Sequence, residues 1–233
     1  MFKQLFDETS STLTYLLADE KTKEAVIIDP VNQHINDYVA LVTQHNLKLK
    51  YALETHVHAD HITAGGQLRR ALGVQAAVSE QCGAENADIQ LNDGDAVHFG
   101  EEVIKVIATP GHTAGSLSFL WQDKLFTGDA LLIKGCGRTD FQGGDAGSLF
   151  DSITKIIFTM VDETLIYPGH DYHGNRVSNV GQEKLTNPRL ANKSREAFIE
   201  TMAALNLPKP KLIDIAVPAN RKCGVDETGV LQG

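Results

Sequence analysis

The chain has 233 residues, 42% of them hydrophobic, with 21 lysines and arginines against 30 aspartates and glutamates, a net charge of −9. That length and apolar content suit one layered domain with a full core. The acidic balance argues against a nucleic-acid binder and against docking on an anionic membrane, because both call for a basic surface.

Residues 11–17 are rich in β-formers and residues 25–28 form a short apolar run. The polar stretch 19–24 between them reads as a turn, so an antiparallel pair is expected. The spacing of Ile35, Tyr38 and Val42 predicts a helix over 34–46. A strand over 47–54 runs directly into Thr55-His56-Val57-His58-Ala59-Asp60-His61, and 63–72 reads as a short helix. A buried strand over 103–108 ends in Thr109-Pro110-Gly111-His112. Residues 117–121 and 124–126 flank Gln122-Asp123 and predict a hairpin. A helix over 145–160 turns Leu149, Ile153, Ile156 and Ile157 inward, and a strand over 165–167 ends at Pro168-Gly169-His170. A last helix over 194–205 has Ser194 as its cap and Phe198, Met202 and Leu205 on one face. Strand runs with interspersed helices suit two mixed sheets packed together with helices outside. The expected organisation is a single domain over 1–233, with 175–233 as a C-terminal extension packed on it.

No apolar run is long enough to span a bilayer, and the N-terminus lacks a signal peptide's apolar core and cleavage site. The cysteines Cys82, Cys136 and Cys223 form no C-x-x-C pair. Read as reduced thiols, they make a cytoplasmic location the expectation.

The chemistry concentrates where strands end. His56, His58, Asp60 and His61 fall within six residues, and His112, Asp129 and His170 each follow a predicted strand. A lone histidine on a turn is most often a plain surface residue. Seven imidazole and carboxylate groups at successive strand ends are better explained by a metal, and this donor set suits zinc, iron or manganese. His56, His58 and Asp60 alternate, so they can project to one side, with His61 reaching round.

The order H-x-H-x-D-H, then His112, Asp129 and His170, resembles the metallo-β-lactamase superfamily along nearly the whole chain. That resemblance implies an αββα sandwich with metal at one edge of its sheets. It pairs His56, His58 and His112 as one metal site and Asp60, His61 and His170 as a second, with Asp129 between them. Within the superfamily, T-G-D-A-L-L-I-K-G-C-G-R-T-D-F (127–141), Y-P-G-H-D-Y-H-G, N-P-R-L, L-N-L-P-K-P and V-P-A-N-R-K-C-G-V closely resemble the persulfide dioxygenases. This narrower resemblance implies one Fe(II) per chain, held by His56, His112 and Asp129. His58, Asp60, His61 and His170 are then hydrogen-bonding neighbours of the ligands or a vacant second metal site.

Two histidines and a carboxylate on one face of iron leave positions open for a thiolate-like sulfur and for dioxygen. The implied reaction is oxidation of the terminal sulfur of glutathione persulfide by O2, giving sulfite and glutathione. Arg138 is the candidate fork for a glutathione carboxylate, and Tyr172 a candidate hydrogen-bond donor. Arg138 could instead pair internally with Asp140 or Asp145. Cys136 is read as a buried packing residue, since nothing in its surroundings lowers a thiol pKa. The nearest rival is a glyoxalase II-type thioester hydrolase using the same seven residues for two metals; the 127–141 stretch and the short region after His170 count against it. A non-enzymatic persulfide sensor is disfavoured by a ligand set that leaves coordination open, and a nuclease by the acidic charge. Exposed strand edges near the N-terminus are compatible with a homodimer.

Overall fold

The computed structural model describes residues 1–225. The last eight residues of the expected extension lie outside the described residues. The chain divides into two compact units, residues 1–91, 96–103 and 209 onward in one, residues 92–95 and 104–208 in the other.

The first unit is built on a sheet in chain order: β1 (Phe2–Phe6), β2 (Leu13–Ala18), β3 (Glu24–Ile28), β4 (Lys48–Leu53), β5 (Gln75–Ser79) and β6 (Ile89–Leu91). β1, β2 and β3 are antiparallel neighbours. Asp19 closes the β2–β3 turn by accepting from Lys21 N and Thr22 Oγ1, at 2.9 and 2.8 Å. From β3 to β6 the pairing is parallel. Parallel neighbours need a crossover, supplied by α1 (Ile35–Gln44) between β3 and β4 and by α2 (Gly65–Leu72) between β4 and β5. Tyr38 and Val42 of α1 and Leu68 of α2 bury against Leu16, Ala25 and Ile27 of the sheet. A C-terminal helix, α6 (Ile213–Arg221), lays Ala216 and Ala219 on Ile62.

The second sheet has the order β12-β11-β10-β9-β8-β7, comprising β7 (Ala96–Phe99), β8 (Glu102–Ala108), β9 (Leu117–Trp121), β10 (Lys124–Gly128), β11 (Leu165–Pro168) and β12 (Ser178–Asn179). The expected β9–β10 hairpin is present, with Gln122 in the left-handed region at φ 55°. α3 (Ala146–Lys155) is capped by Asp145, which accepts from Ser148 N at 2.6 Å. Its predicted continuation to residue 160 is instead a short 3-10 turn, Ile157–Thr159; Ile156 still donates its N–H to the Ser152 carbonyl, but its φ of −119° takes the chain out of the α-helical path. α4 (Val180–Thr186) and α5 (Arg195–Ala203) belong, with β9 to β12 and α3, to the second unit. Leu149, Ile153, Ile157, Phe198 and Met202 form its core, as the helical periodicity predicts.

The architecture is α/β, with two mixed sheets and six helices among the described residues. β5, β6, β7, β12, α4 and α6 go beyond what the sequence patterns foretell. No described helix is long and apolar enough to cross a membrane.

Candidate metal centre

Each sheet places its chemistry at the carboxyl ends of parallel strands, where α/β sheets hold their ligands. In the first unit β3 delivers Asp29, and its parallel neighbour β4 delivers Glu54, Thr55 and His56. Asp29 sits in the left-handed region at φ 49°. Its carboxylate accepts from Thr55 N at 2.7 Å and from Thr55 Oγ1 at 2.8 Å. Because that hydroxyl donates to Asp29, its oxygen accepts from His56 Nδ1, 3.0 Å away. Nδ1 therefore carries the proton and Nε2 presents a lone pair, the neutral form that binds metal.

The rest of the histidine loop is equally fixed. His58 Nε2 lies 3.2 Å from Asp29 Oδ1 and 3.6 Å from Glu54 Oε2. Burial alone would lower the His58 pKa, but the carboxylates of Asp29, Asp60 and Glu54 outweigh it and the pKa rises. Burial drives the Glu54 carboxyl upward, and its Oε1 is in a short hydrogen bond with Thr63 Oγ1. Asp60 Oδ2 and Thr12 Oγ1 meet His61 Nδ1 at 3.0 and 3.2 Å. His58, Asp60 and His61 each bring a ligand atom within 4.8 Å of the others'.

In the second unit β8, β10 and β11 run the same way, because β9 is antiparallel to both β8 and β10 and β11 is parallel to β10. His112, Asp129 and His170, which follow these strands, therefore share one sheet edge. His170 Nδ1 donates to Asp129 Oδ1 at 2.6 Å, while Asp129 Oδ2 lies 3.7 Å from His112 Nε2. His112 Nδ1 lies 2.7 Å from the Arg138 carbonyl. A carbonyl only accepts, so His112 also carries its proton on Nδ1 and offers Nε2. The glycines before and beside these residues are required by space. Gly111 has φ 134°, and a Cβ there would lie 2.3 Å from Leu149 Cα. A Cβ on Gly137 would lie 2.4 Å from the Asp129 carbonyl and 2.7 Å from His112 Nδ1.

The donor set fits a metal that prefers imidazole and carboxylate. Both His56 and His112 are held as Nε2 donors, and Asp129 keeps one carboxylate oxygen directed at His112.

Arg138 forms a fork on Asp140, with Nε and Nη2 at 2.6 and 2.7 Å from the two oxygens. Its Nη1 reaches the Pro208 carbonyl at 2.7 Å, and the guanidinium lies over the Phe141 ring at 4.7 Å. The internal ion pair weighed from sequence is thus present. Tyr172 is 65% exposed and its ring stacks on His170, at 6.1 Å between centroids. Cys136 is buried, its Sγ 3.9 Å from Met202 Sδ, and burial pushes its pKa up to about 12.

Four supporting residues escaped the sequence reading: Asp29, Glu54, Glu183 and Asn220. Asn220, on α6, donates through Nδ2 to the carbonyls of His58 and His61 at 2.9 and 2.8 Å, and accepts from Thr63 N at 2.9 Å. Only its place in V-P-A-N-R-K-C-G-V, a string already singled out, could have drawn attention to it.

The metallo-beta-lactamase superfamily family model matches residues 8–170. The chain is 50% identical, over 97% of its length and 89% of the relative's, to "Persulfide dioxygenase ETHE1, mitochondrial" of Homo sapiens. Among solved structures, ETHE1 from Myxococcus xanthus superposes with a TM-score of 0.95 at 54% identity, covering 96% of this chain and 99% of that one. TTHA1623 in a di-iron-bound form superposes with a TM-score of 0.69 at 25% identity, covering 81% of this chain and 100% of that one. With its strand-end histidines and aspartates in this order, the chain belongs to the metallo-β-lactamase superfamily and, within it, to the persulfide dioxygenase family.

Proposed function

We infer that the chain is a persulfide dioxygenase, an oxidoreductase that uses O2 to oxidise the terminal sulfur of glutathione persulfide. Near-full-length likeness to persulfide dioxygenases carries this reading, and it does not favour a glyoxalase II-type hydrolase. The balance is one glutathione persulfide, one O2 and one water, giving glutathione and sulfite with release of protons.

The proposed metal is a single Fe(II) held by His56, His112 and Asp129, and when bound it supplies the redox chemistry that joins dioxygen to sulfur. The protein's own part is orientation. The Thr55–Asp29 relay and the Arg138 carbonyl hold the two imidazoles with Nε2 available. His170 occupies Asp129 Oδ1, which turns Oδ2 to the ligand role. In this reading His58, Asp60, His61 and His170 tune the ligands through hydrogen bonds rather than hold a second metal.

For the substrate we propose Arg138 as the group that meets a glutathione carboxylate and Tyr172 as a hydrogen-bond donor. Arg138 would have to exchange part of its fork on Asp140 for that carboxylate. We also propose a cytoplasmic enzyme that forms a homodimer; cell fractionation and light scattering test these two points.

The deciding experiment measures metal content and oxygen uptake on one anaerobically purified sample. The expected result is about one iron per chain, with uptake that depends on glutathione persulfide and yields sulfite. Two metals per chain with hydrolysis of S-lactoylglutathione and no uptake would overturn the assignment.

A further inference from the structure

Two of the strings that mark this chain, the 127–141 stretch and N-P-R-L, are bonded to each other through α4. Glu183 is fully buried, and every contact of its carboxylate is a donor: Ser178 Oγ at 2.6 Å on Oε1, Lys134 N at 2.9 Å and Asn187 Nδ2 at 2.8 Å on Oε2. Asn187, also fully buried, uses the same amide to donate to the Gly135 carbonyl at 3.0 Å. Pro188 forces Asn187 out of helical geometry, to φ −65° and ψ 115°, which ends α4 and aims the amide at the loop.

The gripped segment is a tight turn. Leu132 and Gly135 exchange backbone hydrogen bonds at 3.0 and 3.2 Å, and Lys134 is held at φ 58°, a region costly for a side-chain-bearing residue. The next residues reach the proposed ligands. Gly137 N donates to the Asp129 carbonyl at 2.8 Å, and the Arg138 carbonyl takes the Nδ1 proton of His112 at 2.7 Å.

We propose that Glu183 and Asn187 are positioning residues: a buried clasp that holds the 132–138 loop so that its backbone sets the tautomer of His112 and the place of Asp129. The proposal rests on reading His112 and Asp129 as metal ligands. The clasp touches neither metal nor substrate and acts only through Lys134, Gly135 and the loop beyond them. Its buried carboxyl oxygens are satisfied because every contact is a donor.

The test uses Co(II), whose visible bands report ligand geometry directly, together with Fe(II) competition against a chromophoric chelator. Glu183→Ala and Asn187→Ala should each weaken metal affinity about tenfold or more, the range seen when partners of ligating groups are lost, and should shift the Co(II) bands. Glu183→Gln should largely restore both, since its carbonyl can accept from Lys134 N and Asn187 while its amide donates to Ser178 Oγ. Ile157→Ala, a core truncation that touches none of these hydrogen bonds, measures the effect of lost stability alone. If the two alanine variants lower stability but match Ile157→Ala in affinity and spectrum, the clasp is structural only and the proposal fails. Should Glu183→Ala not fold, Asn187→Ala decides by the same readouts. His112→Ala separates the underlying reading: undiminished metal affinity there would sink the ligand assignment itself, whereas lost affinity with unaffected clasp variants would sink only the clasp.

Discussion

An imidazole becomes a metal ligand or an ordinary side chain according to where its proton sits, and neighbours decide that. For His56 the deciding group is a hydroxyl whose own hydrogen is committed to Asp29. Thr55→Val keeps the shape and removes both halves of the relay. It takes the Thr55 hydroxyl away from the Nδ1 proton of His56, while Asp29 still accepts from the backbone N of residue 55. A 10–100-fold loss of Fe(II) affinity is expected, on the order found for partners of metal-binding histidines. Chelator competition measures it; a change within about twofold would show that the relay does not orient the ligand. Cys136 shows the opposite case. A thiol beside a sulfur-oxidising centre invites a covalent role, yet with its pKa at about 12 it holds essentially no thiolate at neutral pH.

At the scale of elements, legibility in the sequence followed length and locality. α1, α3 and α5 carry enough turns for their apolar positions to repeat, and the β9–β10 hairpin is announced by its two-residue turn. β6 and β12 are three and two residues long, too short for alternation to register. α6 contains Pro218, a residue that sequence rules treat as a break. The strand-end candidates were legible because His112, Asp129 and His170 each adjoin a turn signal. Their supports were not: Asp29 acts 26 residues away from Thr55, and Asn220 acts 162 away from His58. Polar contacts of that separation leave no periodic trace. The Asn220 link has a measurable consequence. Its side-chain amide is fully used, by two carbonyls and one backbone N–H of the histidine loop, and it is 3% exposed. Asn220→Ala strands all three partners, so a loss of about 2–4 kcal/mol is expected from the cost of buried unpaired groups. Denaturant unfolding at constant m-value reads it. A loss under about 0.5 kcal/mol would mean that water replaces the amide and that α6 does not brace the loop.

For the whole molecule the relevant quantity is how metal binding feeds into stability. The chain passes between its two compact units at four points, after residues 91, 95, 103 and 208. We propose on that basis that residues 1–233 unfold as one domain with 175–233 as its extension, in a single calorimetric transition. A metal that binds only the folded chain raises its stability by a mass-action term, about 2.7 kcal/mol when free metal is 100 times its Kd. For a chain of this size each kcal/mol moves Tm by about 2–4 °C. Stripping Fe(II) with a chelator under anaerobic conditions should therefore lower Tm by about 5–11 °C, and restoring it should reverse the shift. His112→Ala should show no such increment on adding iron, because it removes a proposed ligand without removing the loop that carries it. A Tm indifferent to iron in the unsubstituted protein would contradict tight binding by His56, His112 and Asp129. Two separate transitions, of which only one moved with metal, would overturn the single-domain reading while leaving the ligands in place.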